Sequence, residues 1–312
     1  MSLFSSGVPP YTVRPMCLDD LVTVREIDRD AFEQARRQGG EGTRALRLRT
    51  LENMQAALQR PHPGVVVEWP PGRVAGYCFT HVWGSVGWLG TLGVTPRKQG
   101  VGLGRAVTAA GLDLLHEAGC QVLALETMPE NGKNIALYTR LGLQPGHLTL
   151  LCQGSPASAP ATHFEIWDGG GALRRVASQI VPGMDLTPAA LWLEQEGAGE
   201  TLVWHEDGQP VAFAVLRSAP RRLDGAQSYL TVEAAACLPQ AAIHWPRYVR
   251  EMQTFAQRRV KVGIVMPINA AQIDLLRDTL DVGMRVVHTR VRMATSAALD
   301  QPGAILMLTL AM

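Results

Sequence analysis

Residues 94–105, Val-Thr-Pro-Arg-Lys-Gln-Gly-Val-Gly-Leu-Gly-Arg, constrain this chain more than any other segment. They lie between Val86–Val94, an apolar run that reads as a strand, and Leu103–Ala118, where Leu103, Val107, Ala110 and Leu114 form one apolar helical stripe. A strand that turns through glycines into a helix N-terminus aims several backbone N–H groups at one spot. The unpaired first-turn amides and the helix macrodipole favour a phosphate or pyrophosphate there. Glycine lets the backbone turn tightly and approach the oxygens with no Cβ in the way. Arg105 in the first turn adds a positive charge. Alternating Gly100, Gly102 and Gly104 exceed what a plain strand-to-helix turn requires. Two nucleotide motifs are excluded. The dinucleotide pattern G-x-G-x-x-G needs glycine where Arg105 stands, and the P-loop needs a G-K-[ST] that does not follow.

The surrounding pattern is that of an α/β layered domain. Tyr11–Pro15 alternates like a strand, and a helix follows through Leu21, Val24, Ile27 and Phe32. A second helix is expected over Thr43–Leu58, closed by Pro61. Gly64–Trp69 and Val74–Thr80 form a hairpin around Pro70-Pro71-Gly72. Val86–Val94 stops at Pro96, which lacks a donor for a central ladder. After the glycine loop and its helix come a strand at Gln121–Thr127 and a helix from Gly132 to Leu141, ended by Gly142. The order is βααβββαβα, helices against a mixed central sheet.

At 312 residues the chain is longer than one typical domain. Residues 153–162, small, polar and proline-bearing, read as a linker, dividing the chain into 1–152 and 163–312. The second part repeats the first in outline. A hairpin over Glu200–His205 and Pro210–Arg217 precedes a strand at Gln227–Ala235 and a helix at Trp245–Arg258. A strand at Lys261–Met266 and a helix at Ala270–Leu280 before Gly283 complete it. Asn269, that helix and Gly283 echo Asn131 to Gly142 with a longer spacing. The glycine loop has no second copy, because Pro239–Pro246 holds no glycine and two residues without an N–H donor. A net charge of +1 gives no reason to expect nucleic acid or an anionic membrane as partner. Five scattered cysteines without a C-x-x-C pair, no basic and apolar leader, and no membrane-length apolar run lead to a cytoplasmic expectation. His116-Glu117-x-x-Cys120 is not a zinc-hydrolase motif, and no metal is expected.

Gln99-x-x-Gly102-x-Gly104, with Val94-x-Pro96 before it, resembles the [RQ]-x-x-G-x-[GA] signature of the GNAT N-acetyltransferase superfamily. Asn131-Gly-Lys-Asn-Ile-Ala-Leu-Tyr138-Thr-Arg-Leu-Gly142-Leu143 is similar to that family's N-x(6)-Y-x-x-x-G-F segment. The resemblance spans residues 11–150 in element order and 88–146 in motif. It implies two GNAT-like domains, the second degenerate, and acetyl-CoA as co-substrate. Leu92, Gly93 and Val94 would pair with the pantetheine arm, and Gln99, Gly100, Val101, Gly102, Leu103, Gly104 and Arg105 would hold the pyrophosphate. Asn131 matches the asparagine that contacts pantetheine, Asn134 replaces the family's usual alanine, and Tyr138 matches the general acid.

The family's carboxylate on the strand before the loop is missing here. Glu126 stands in for it, in a Leu-Glu-x-x-x-x-Asn arrangement like that of enzymes acetylating a ribosomal protein's N-terminus, with Glu68 and His81 as alternates. Each also has a plain structural reading: a core tyrosine, a salt-bridged strand-end glutamate, surface or core histidines. Trp83 and Trp88 read as core before acceptor pocket. The expected function is acetyl transfer to a primary amine of a small molecule or peptide, by a monomeric pseudo-dimer of domains or a homodimer. A non-catalytic acyl-CoA-binding regulatory module and a structural partner protein are the alternatives.

Overall fold

The computed structural model describes residues 11–38, 48–158, 161–219, 229–300 and 305–308. The first half contains β1 (Thr12–Pro15), α1 (Leu21–Gln38), α2 (Leu51–Leu58), β2 (Gly64–Glu68), β3 (Val74–Trp83) and β4 (Val86–Val94). It continues with α3 (Leu103–Glu117), β5 (Val122–Thr127), α4 (Gly132–Arg140) and β6 (Gln144–Gly154). The second half runs β7 (Phe164–Ile166), α5 (Ala172–Ile180), α6 (Thr187–Gln195), β8 (Gly199–Glu206), β9 (Gln209–Arg217) and β10 (Leu230–Cys237). Then come α7 (Trp245–Arg258), β11 (Ile264–Asn269), α8 (Ile273–Asp281), β12 (Arg285–Ala294) and β13 (Ile305–Leu308). The α/β class and the repeat are as the sequence implies. Several boundaries differ. α2 starts only at Leu51, because the Thr50 side chain accepts from Asn53 N and caps it there; residues 43–47 of the expected helix lie outside the described set, as do 227 and 228 of the expected strand. α8 starts at Ile273 because Asn269 Oδ1 accepts from Ala271 N, an Asx turn that holds those residues out of the helix. In α3 the deepest seam is Leu103, Val107, Gly111, Leu112 and Leu115, with Ala110 and Leu114 half-buried beside it. Gly111 sets this rotation, since a Cβ there would lie 3.0 Å from Cys78 Sγ and from Leu89 Cδ2.

One continuous sheet joins the halves, in the order β1-β2-β3-β4-β5-β12-β6-β11-β10-β9-β8-β7, with β13 against β10. The centre is a reciprocal exchange. β12 of the second half fills the place beside β5, and β6 of the first half fills the place beside β11. The two exchanged strands pair antiparallel with each other, Arg290 opposite Thr149. Each β-strand of the first half thereby has a counterpart in the second, mirrored about this pair. Gly142 ends α4 as Gly283 follows α8, and the N-caps Asn131 and Gln272 stand at matching distances before them. The counterpart of Asn131 is therefore Gln272, not Asn269, and the spacing is the same.

The halves also share a core. Trp83, Val86, Trp88, Val122 and Ala124 pack with Leu173, Val176, Ala177 and Ile180 of α5 and with Ala189, Ala190 and Leu193 of α6. Both tryptophans are therefore core residues, and truncating either to alanine should cost about 3–5 kcal/mol. On the opposite face of the first-half strands, Cys78, Leu89, Leu123 and Leu125 pack under α3 with Leu103, Val107 and Leu115, and Tyr138 of α4 joins them.

Candidate active site

β4 pairs with β3 along its length but with β5 only over Val86–Trp88 against Val122–Ala124. Beyond that point no β4–β5 pair occurs among the described residues. The cause is local. Leu89 faces Thr80 and Leu92 faces Cys78, so Gly90 and Thr91 together oppose the single residue Phe79. This β-bulge bends β4 away from β5. The result is a V-shaped gap between the two strands, a slot with Leu92, Gly93 and Val94 along one rim. Their strand edge toward β5 offers main-chain groups to an extended ligand.

The glycine loop lies at the wide end of the slot, where β4 stops at Val94. Pro96–Lys98 makes a 3-10 turn, and Gln99 Nε2 donates to Val94 O at 3.1 Å, tying the loop to the end of β4. Gln99 is thus an anchor of the loop through its side chain. Gly100 has φ 83° and Gly102, the N-cap of α3, φ 94°. Nothing lies within 4 Å of where either Cβ would sit. Both glycines are therefore required by backbone conformation, and the space over them is open. The left-handed N-cap followed by helical residues forms an anion-binding concavity. By helix geometry the first-turn amides of Leu103, Gly104 and Arg105 have no intrahelical acceptor. Val101 and Arg105 are exposed and Leu103 is buried under the helix. A pyrophosphate fits this cradle: donors converge, no side chain fills it, and Arg105 stands at its edge.

Strand alternation puts the two residues expected to do chemistry on opposite sides of the sheet. Leu123 and Leu125 face α3 and α4, so Glu126 projects with Val122 and Ala124 to the other face. Tyr138 is 3% exposed and clustered with Val94, Leu103 and Leu125. Burial raises its phenol well above the ordinary range, so the proton stays on oxygen. Asn131 caps α4, its Oδ1 accepting from Asn134 N at 3.1 Å, and Asn134 Nδ2 donates to Thr127 Oγ1 at 3.4 Å. The cap leaves the Nδ2 of Asn131, and a second lone pair on its Oδ1, to reach a ligand.

Glu126 is heavily engaged. Thr149 Oγ1 donates to its Oε1 at 2.5 Å, and Arg290 Nη1 to its Oε2 at 3.4 Å. Arg292 Nη2 stands 3.8 Å from Oε1. Both arginines come from β12, so the second half builds part of this site. Neither is legible as a site residue in the sequence, although Arg290 and Arg292 alternate with the apolar Val291 and Met293 as on one face of a strand. Of the alternates, His81 lies closer to the slot than Glu68. Its Nδ1 is 2.8 Å from Arg60 Nη1; a guanidinium only donates, so Nδ1 accepts. A Cβ on Gly90 would come within 2.6 Å of His81 Nε2, so the bulge glycine makes room for the imidazole. Glu68, two strands from β4, instead accepts from Gly72 N and from Arg14 Nε of the neighbouring β1, contacts that lower its pKa, backbone bond first. It braces the β2–β3 turn. Among the described residues no group of three or more His, Cys, Asp or Glu is arranged to hold a metal, and no helix is long and apolar enough to cross a membrane.

A bulged, splayed strand running into an anion-binding glycine loop defines a class. Residues 21–143 match the Acetyltransferase (GNAT) family, and the fold of the chain is that of a tandem GNAT protein. A mycothiol acetyltransferase of Catenulispora acidiphila is 32% identical over 143 residues, 44% of this chain and 43% of that protein. The chain thus spans less than half the length of the curated relatives it matches. A Pyrococcus horikoshii protein assigned to the acetyltransferases superposes with TM-score 0.70 at 13% identity, covering 100% of this chain and 97% of the other. A tandem GNAT protein of the clavulanic acid biosynthesis pathway gives TM-score 0.57 at 14% identity, over 91% and 98% of the two chains. At such identities the structural matches establish the fold alone.

Proposed function

We propose that the chain is an acetyl-CoA-dependent N-acetyltransferase acting on a primary amine, with its catalytic machinery in residues 1–152 and a degenerate partner domain in 163–312. The observation that carries this reading is the slot after Trp88 together with the open glycine cradle at its end. Acetyl-CoA would supply the activated acetyl group, its thiol leaving as the amide forms. Main-chain groups of Leu92, Gly93 and Val94 take the extended arm, with the Asn131 side chain as a further contact. The amides from Gly100 to Arg105 take the pyrophosphate.

The opposed placement of Tyr138 and Glu126 suits the chemistry. An amine approaches from the Glu126 face, and the departing sulfur is protonated by Tyr138 from the α3–α4 face. Glu126 accepts the acceptor's proton directly or through a water, its oxygens keeping a second lone pair each beside Thr149 and Arg290. The relatives named mycothiol acetyltransferases make the amine acceptor of mycothiol acetylation the first small molecule to test. The two halves already exchange strands within one chain, so a monomer completes the site, in the cytoplasm.

The rival reading, an acyl-CoA-binding module without turnover, draws on the engagement of both Glu126 oxygens. Thiol release from acetyl-CoA across a panel of amines separates the two. Turnover with at least one amine is expected. Protection of the protein by acetyl-CoA against thermal unfolding, with no thiol release from any amine, would favour the binding module.

A further inference from the structure

Arg292 reaches from the second half toward the apex of the first half's slot. β12 sets it opposite Glu126. Its guanidinium crosses over β5 to lie 5.9 Å from the ring centroid of Trp88, the last β4 residue paired to β5 before the strands part. The side chain is 3% exposed, yet among the described residues its Nε and Nη1 have no hydrogen-bond acceptor. The neighbouring carboxylates of Glu126 and Asp300 stand 3.8 and 3.7 Å away, outside hydrogen-bonding distance. Neither is free to close in. Glu126 is held by Thr149 and Arg290, and Asp300 accepts from Asn269 Nδ2 at 2.5 Å. A buried guanidinium with unsatisfied N–H groups is costly unless something else supplies the acceptor.

Its position says what that something is. The planar fork of N–H donors fits the two oxygens of a carboxylate better than any single-point group. Glu126 beside it fits an ammonium. The wall of the slot on the acceptor face therefore presents opposite charges side by side, complementary to an amine and a carboxylate carried close together.

We propose that Arg292 is a specificity-determining residue for the acceptor, and that it takes a carboxylate adjacent to the reacting amine, as in an amino-acid-like substrate. This rests on the acetyltransferase reading of the same slot. The test compares thiol release with a series of α-amino acids, their amides and the corresponding simple amines, using wild type, Arg292→Met and Arg292→Lys. Wild type should prefer the carboxylate-bearing acceptor by about tenfold or more in kcat/KM. Arg292→Met should lose that preference through a raised KM. Arg292→Lys keeps the charge but not the fork, and should retain part of it. No carboxylate preference in wild type, or the same preference in Arg292→Met, overturns the assignment; if Arg292→Met does not fold, Arg292→Lys decides.

Where no amine turns over at all, the acetyltransferase reading fails by itself. The Arg292 assignment is then read from binding. An N-acetyl amino acid with CoA should raise the unfolding temperature of wild type more than its amide does, and equal shifts overturn it.

Discussion

The chain builds the same slot twice and leaves only one of them open. β10 also bulges, with Glu233 inserted between Val232 opposite Leu216 and Ala234 opposite Val215, and it parts from β11 after Thr231 and Val265. There the likeness ends. β13 pairs antiparallel with Ala234–Cys237, on the strand edge that β4 leaves open at Leu92–Val94. The glycine loop is replaced by a 3-10 turn over Pro239–His244. Tyr138 has Thr279 as counterpart, whose hydroxyl accepts from Trp245 Nε1 and donates to Leu275 O. Glu126 has Pro267, set opposite Leu151 as Glu126 is set opposite Arg292. A splayed strand is therefore a property of the fold, whereas a ligand site needs the splay, the anion cradle and the chemistry-bearing side chains together. The second copy keeps the architecture, fills it with its own backbone, and spends its exchanged strand on the first copy's site.

The most damaging way to make the first slot like the second is to remove its cradle. Gly100→Val with Gly102→Val puts β-branched residues at φ 83° and 94°, a conformation costing about 1–2 kcal/mol for each. The collapsed loop should weaken acetyl-CoA by about 100-fold or more, the loss of two or three charge-assisted hydrogen bonds. Protection against thermal unfolding and KM for acetyl-CoA measure it. Retained affinity would mean that the arm, not the pyrophosphate, dominates binding.

Tyr138→Phe comes next. The ring is buried and the change removes one oxygen, so acetyl-CoA protection should persist while kcat falls by about 100-fold. The matched change in the second half, Thr279→Val, should leave kcat untouched and cost only stability, because its hydroxyl serves Trp245 and Leu275. An effect of Thr279→Val on kcat would mean the second slot is not inert.

The contrast between the slots also marks what the sequence could reveal. Gln99 to Arg105 and Asn131 to Gly142 are local patterns, and a strand, a turn and a helix can be inferred from neighbours along the chain. Arg290, Arg292 and Thr149 were not legible as site residues, because only tertiary exchange brings β12 beside β5. β6, β7, α5, α6, β12 and β13 are also absent from the expected element order, β6 and β12 because their pairing depends on the exchange. The β6 segment Gln144–Gly154 holds both polar and apolar residues and merges into the linker composition. For Tyr138 and Glu126 the spacing was readable, but not their placement on opposite faces, which follows from strand alternation only once the packing of Leu125 is known.

A smaller effect tests whether the two halves behave as one body. Burial pushes the Cys78 thiol of the first half and the Cys237 thiol of the second up to about 12, from an ordinary 9.0. The unfolded chain releases these protons first. Stability is therefore full below about pH 9 and is lost as pH climbs toward 12. Cys78→Ala and Cys237→Ala should each move the alkaline unfolding midpoint upward, in a single transition, because the halves share a core and a continuous sheet. Two separate transitions in circular dichroism, each moved by only one substitution, would show that the halves melt independently.

The subtlest test removes the strand that fills the second slot. A chain ending at Asp300 lacks β13 and uncovers the edge of β10 at Ala234–Cys237. Losing these few main-chain pairs should lower stability by about 1–3 kcal/mol, read in urea unfolding. Acetyl-CoA should still bind at one equivalent by calorimetry, since the uncovered edge has no glycine cradle at its end and Pro239 withholds a donor there. A second equivalent would reverse the order of causes. It would mean that β13 alone closes the second slot, and that the anion cradle is dispensable once a splayed strand edge is exposed.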